Sequence, residues 1–125
     1  MAVKRAQKAR KKAAPRGVTF GTVCRLMSAL PGVEQALSYG TPGFKVKGRF
    51  LSRLKEDGES LVLRIGFLRR EELMTTEPEA FYVTDHYLNY PAVLIRLPSV
   101  RKDLLRRVLK EGWAEVAPES LKKKA

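Results

Sequence analysis

The chain has 125 residues, 44% hydrophobic and 30% charged, which fits one folded domain and leaves no room for two good cores. A single cysteine, Cys24, and a single histidine, His86, exclude an internal disulfide and a Cys/His zinc site, and no apolar run approaches the ~18 residues of a membrane helix. Twenty-five Lys and Arg against thirteen Asp and Glu give a formal charge of +12, and the sequence pI is near 10.2.

The distribution of that charge says more than its sum. Residues 1–16 hold Lys4, Arg5, Lys8, Arg10, Lys11, Lys12 and Arg16 with no acid, and Lys122, Lys123 and Lys124 follow at the other end. Fifteen basic residues against thirteen acidic ones remain for the body. A nearly neutral body between basic ends suits a protein whose ends seek a polyanion.

In chain order, residues 1–16 carry nothing to bury and are expected to be a disordered arm. Residues 17–118 form the domain and 119–125 a basic tail. Thr19 is placed to cap a helix in which Phe20, Val23, Cys24, Met27 and Leu30 recur at helical spacing, with Pro31-Gly32 ending it. Val33 to Tyr39 reads as a strand, and Gly40-Thr41-Pro42-Gly43 as a turn. Phe44 to Val46 and Arg49 to Lys55 follow as strands joined by Lys47-Gly48, and Asp57-Gly58 signals a hairpin into Leu61–Ile65. A short helix is predicted over Arg69–Met74, and strands over Phe81–Thr84 and Ala92–Leu97. Ser99 is expected to cap a helix with Val100, Leu104, Leu105, Val108 and Leu109 on its apolar face, closed by Gly112, with a short helical piece over Trp113–Ala117. Hairpin-linked strands between terminal helices imply a two-layer α+β domain: a mainly antiparallel sheet with helices on one face.

Three stretches, LPGVEQALSYGTPGFKVKGRFLSRLKEDG, PEAFYVTDHYLNYPAVLIRL and VLKEGWAEVAP, resemble the MmcQ/YjbR family in order and spacing, from about Thr19 to Pro118. The resemblance implies a compact α+β domain with an antiparallel sheet and packed helices. Members are often labelled DNA-binding, so DNA is the favoured partner and RNA stays open. The family brings no catalytic residues with it.

The inventory for catalysis is short. Asp85 stands beside His86, but nothing in the sequence brings Cys24 or a serine to that imidazole, Gly-rich phosphate loops are absent, and Glu71 and Glu72 do not converge on a helix. The chain is therefore expected to bind rather than catalyse, without metal or cofactor. Tyr82, His86, Tyr87 and Tyr90 are expected either to plug one end of the sheet or to line a small pocket.

For binding, strand alternation with Phe44 and Val46 inward turns Lys45 and Lys47 outward. Arg49, Arg53 and Lys55 then share a face with Leu51, opposite Phe50 and Leu54, and Arg64 joins the outer face. Such a stripe either tracks a phosphate backbone or is a solvated sheet face. The last long helix adds Arg101, Lys102, Arg106, Arg107 and Lys110, without the Asn or Gln that read base edges. The expected function is a cytoplasmic nucleic-acid-binding module with weakly sequence-specific phosphate contacts from the arm and the basic hairpin. The alternative is a protein-interaction module using the open sheet face.

Overall fold

The computed structural model describes residues 16–123. The predicted arm therefore lies outside the described residues except for Arg16, which is already part of the fold. Arg16 bridges Arg101, the Gly17 amide donates to the Val100 carbonyl and the Val18 amide to that of Leu97. Helix α1 (Phe20–Ser28) starts as expected, with the Thr19 hydroxyl accepting from the Thr22 amide. Its Val23 and Met27 are fully buried.

Three consecutive hairpins build most of the sheet. Strands β1 (Val33–Ser38) and β2 (Thr41–Val46) pair antiparallel, with Ser38 opposite Thr41. The turn between them is Tyr39-Gly40, at φ 53° and 81°, so Thr41 and Pro42 belong to the strand rather than to the turn predicted over 40–43. Two successive left-handed residues match the right-handed twist of the flanking strands, which is why two-residue hairpins use them. Lys47-Gly48, at φ 51° and 79°, repeats the device before β3 (Arg49–Leu54). The Asp57-Gly58 turn leads into β4 (Ser60–Arg64), with an Asp57 carboxylate oxygen accepting from the Glu59 and Ser60 amides.

Helix α2 (Phe67–Thr76), strand β5 (Phe81–Tyr82) and a 3₁₀ turn at Asp85–Tyr87 lead to β6 (Ala92–Arg96). The strand predicted over 81–84 is thus only two residues long. The sheet order is β1-β2-β3-β4-β6-β5, antiparallel throughout, as in the expected two-layer α+β fold.

Helix α3 (Lys102–Val116) corrects two expectations. Ser99 does not cap it: Leu97–Ser99 forms a separate 3₁₀ turn and Arg101 is the capping position. Gly112 does not end it either. A β-carbon there would sit 2.7 Å from the Arg64 carbonyl oxygen and 2.9 Å from Leu63 Cδ1, so glycine allows the helix to lie directly on β4. Leu104, Leu105, Val108, Leu109, Trp113 and Val116 then pack with Val23, Met27, Leu51, Leu63 and Ile95 into the main core. The Trp113 indole N–H donates to the Pro31 carbonyl at 2.8 Å. A last short helix, α4 (Glu119–Lys122), puts Leu121 into the same core, so packing reaches into the segment read as a tail.

Candidate functional site

The opposite face of the sheet carries the polar chemistry, and one extra residue decides its composition. Phe44 pairs with Ser52 and Lys45 with Phe50, which leaves Leu51 as the unpaired residue of a β-bulge. A bulge resets alternation. Leu51 and Ser52 are both buried, Leu51 in the main core, while Phe50 belongs to a second cluster with Val62, Tyr87, Ala92 and Leu94. The expected grouping, with Leu51 outward and Phe50 inward, is therefore reversed. Beyond the bulge Arg53 pairs with Val62, a member of that second cluster.

Part of this outer face is covered by the segment between β5 and β6. Arg70 of α2 holds it down: its side chain is 4% exposed, Nη1 donates to the carbonyls of Tyr87, Tyr90 and Ala92, and Nη2 to that of Leu88. Carbonyls that would be costly to leave unpaired are thus gathered on one guanidinium. The ring of Phe67 lies 4.8 Å from Arg70 Cζ. Tyr87, fixed in this way, packs over Val62 and Leu94.

Between this segment and the β1–β2 hairpin lies an open cleft of about 760 Å³, lined by Tyr39, Lys45, Phe50, Arg53, Tyr87 and Tyr90, with His86 and Glu56 at its edges. Arg53 is only 6% exposed. Its Nη2 donates to the Tyr87 hydroxyl at 3.0 Å and its Nη1 to Glu56 at 3.3 Å and to Thr41 Oγ1 and the Leu54 carbonyl at 3.4 Å, while its Nε has no partner. The Tyr39 ring lies 5.4 Å from its Cζ. Burial works against the Arg53 charge, but the Tyr87 hydroxyl and Glu56 outweigh it and hold its pKa above the ordinary arginine value. Glu56 is held below the usual carboxylate range by its own backbone amide first and by Arg53 second. Gly43 lets the strands close up beside Arg53: a β-carbon there would meet the Ser52 carbonyl at 2.7 Å and crowd Arg53 Cβ and Ser38 Cβ at 3.2 Å.

The six strand cations expected to share one face are therefore dispersed. Lys45 lines the cleft, and Lys47 and Arg49 flank the exposed tip at Gly48. Lys55 is half-buried beside the third turn. Arg53 is withdrawn into the cleft wall, and Arg64 donates to Glu115 of α3 at 3.1 Å. Lys4, Arg5, Lys8, Arg10, Lys11 and Lys12 lie outside the described residues.

Of the four expected pocket residues, His86, Tyr87 and Tyr90 line the cleft, whereas Tyr82 does not. Its hydroxyl meets Ser60 Oγ at 2.9 Å and its ring stacks with Arg96 at 4.0 Å. Cys24 packs against the helix-side core, on the far side of the sheet from the cleft that His86 borders. Burial raises the pKa of the Cys24 thiol. Among the described residues no group of three His, Cys, Asp or Glu could hold a metal, and no helix is long and apolar enough to cross a membrane.

Three participants were missed by the sequence reading: Arg70, Tyr39 and Phe50. A signal existed for Tyr39, since an aromatic residue directly before Gly40 is out of character for a tight hairpin turn. Arg70 carried none, because an Arg-Arg-Glu-Glu run reads as a solvated helix face.

The comparisons agree with this architecture. The YjbR family model matches residues 28–115. Uncharacterised proteins of Mycobacterium bovis and Mycobacterium tuberculosis are 37% identical over 49 residues, which is 39% of this chain and 38% of each relative. The crystal structure of the Deinococcus radiodurans protein DR2400, family-model domain DUF419, superposes with a TM-score of 0.70 at 22% identity, covering 85% of this chain and 86% of that one. At that identity it speaks for the fold alone. A family model spanning more than half of the residues, on a fold of the matching kind, places this chain in the MmcQ/YjbR family.

Proposed function

We propose that the chain is a cytoplasmic, non-enzymatic nucleic-acid-binding protein whose contacts go mainly to phosphates of DNA or RNA and read sequence weakly. The observation that carries this reading is how the body spends its acids. Glu56, Glu72, Glu77, Asp103, Glu111 and Glu115 are engaged in ion pairs with Arg53, Arg69, Arg16, Arg101 and Arg64. Lys47, Arg49, Arg106, Arg107 and Lys110 are exposed and outside those pairs among the described residues. Glu34, Asp57, Glu59, Glu79 and Asp85 stand outside these pairs as well, but none of them lies in the Lys47–Arg49 turn or on α3, so the unbalanced cations there and in the basic N-terminal residues are where phosphates would be met.

Fluorescence anisotropy with labelled duplex DNA, single-stranded DNA and RNA across a salt series tests it, comparing the full chain with one beginning at Arg16. The full chain should show a steep decline of log affinity with log salt, and removal of six cations should flatten that slope by about 5. Equal slopes for the two chains, or no binding by either at moderate salt, would sink the reading.

A protein partner is the second reading, favoured by the exposed apolar groups at the sheet edge: Leu37 is 73% and Tyr39 85% exposed on and just beyond β1. Salt-independent retention of a protein ligand by the full chain, without nucleic-acid binding, would favour it.

A further inference from the structure

The structure assigns the outer-face cleft as a binding site for one flat aromatic ring bearing an anionic group, the chemistry of a nucleoside monophosphate. Three observations converge on it. The first is shape: Phe50, Tyr87 and Tyr90 line the cleft from β3 and the segment held by Arg70, and Tyr39 lines it from the β1–β2 turn. A ring inserted there finds aromatic partners on more than one side, and stacking of this kind accepts any base because every base has a π face.

The second is charge. Lys45 lines the cleft, Glu34 opposite it on β1 makes no ion pair with it, and the basic Lys47-Gly48-Arg49 tip borders the same end. Glu56 lies with Arg53 at the other end and would repel an anion there. The site is thus polarised, with the anionic group at Lys45 and the ring between the tyrosines. An amino group on the ring can donate to Glu56.

The third is Tyr39 itself. This residue sits at φ 53°, a conformation in which Asn or Gly is the economical choice and an aromatic residue is not. Its ring is 85% exposed and fills no core. Lys47 takes the same place in the next turn at φ 51°, so what sets Tyr39 apart is its side chain, an exposed aromatic ring at the rim of the cleft and open to a ligand there.

The ligand chemistry has two sources, a free nucleotide or an unpaired nucleotide within a strand. Only the second deepens the phosphate-directed reading, and the first stands without it. The test is amide NMR on the full chain, titrated with adenosine monophosphate, adenosine, ribose phosphate, a short single-stranded oligonucleotide and its duplex. Adenosine monophosphate should give saturable shifts at Lys45, Gly48, Phe50, Arg53 and Tyr87, with adenosine and ribose phosphate each about tenfold weaker. Tyr39→Asn, which suits the left-handed turn and keeps the fold, should weaken the nucleotide about fivefold or more. Lys45→Gln should do the same while leaving adenosine unchanged. Single strand shifting the same amides, with duplex leaving them alone, identifies the strand-borne form; shifts from the mononucleotide alone identify the free one. Unsaturable shifts spread over the basic surface, or shifts that survive both substitutions, overturn the assignment. A lost cleft response with an intact salt slope removes this inference alone, and the reverse removes only the phosphate-directed reading.

Discussion

The two faces of the sheet are built on different principles. The helix side is closed by apolar packing: Leu51, Leu61, Leu63, Val93 and Ile95 lie under α1 and α3 with no solvent exposure. The other side is covered by a chain segment with little regular structure, held by buried Arg70, which bonds to its backbone, and by Tyr87, whose hydroxyl accepts from buried Arg53. Apolar packing tolerates imprecision because it is non-directional. A guanidinium anchor does not, because each donor must find its acceptor. The first face secures stability and the second fixes the geometry of a cleft.

The largest blow to the helix side should come from Trp113→Ala, which removes a buried indole and its bond to Pro31. A loss of about 3–5 kcal/mol is expected in denaturant unfolding, and the whole domain should unfold in one transition. On the other face, Arg70→Lys keeps the charge but not the fork that spans four carbonyls. It should cost about 2–3 kcal/mol. Hydrogen exchange should accelerate first at residues 84–91 while the amides of α3 stay protected; uniform acceleration would erase the contrast between the faces.

The smallest effect is expected at the third turn. Asp57 accepts from the Glu59 and Ser60 amides, and the Glu59 amide chiefly holds its carboxyl below the usual range, partly offset by burial. A carboxyl depressed in the folded state stabilises above its unfolded pKa and loses that contribution as pH falls through the folded value. Asp57→Ala should therefore lower stability by about 1 kcal/mol at neutral pH. The gap to the parent chain should close below pH ~4. A gap that stays constant across that range would show that the turn owes nothing to the charge.

Much of this was legible in the residues. The cap at Thr19, the Lys47-Gly48 and Asp57-Gly58 turns and the hairpin-linked antiparallel strands follow from local chemistry, which neighbouring residues dictate. The face assignments were not legible, because a bulge at Leu51 has no marker: Phe-Leu-Ser-Arg alternates no differently from a regular strand. One extra residue then moves Phe50 beside Arg53 and buries a leucine thought exposed. Gly112 misled for a related reason. Near the end of an apolar periodic segment a glycine reads as a stop, and only the approach of the Arg64 carbonyl shows that it permits contact. The cleft itself depended on Arg70, whose role exists only between elements distant in sequence.

The order of the strands also bears on how the chain finds its structure. From β1 to β4 every strand pairs with its successor through a short turn. Closure entropy there is met in small steps, each within reach of microsecond searches. The sheet is completed differently, since Ala92–Arg96 must enter between β4 and β5, and its pairing with Ser60–Arg64 spans the intervening helix. That single non-local step also brings Tyr87 over Val62 and Leu94. The contacts of lowest contact order form the sheet's first half, whereas the cleft depends on a pairing across the intervening helix and so on a later, less local step than the hairpins.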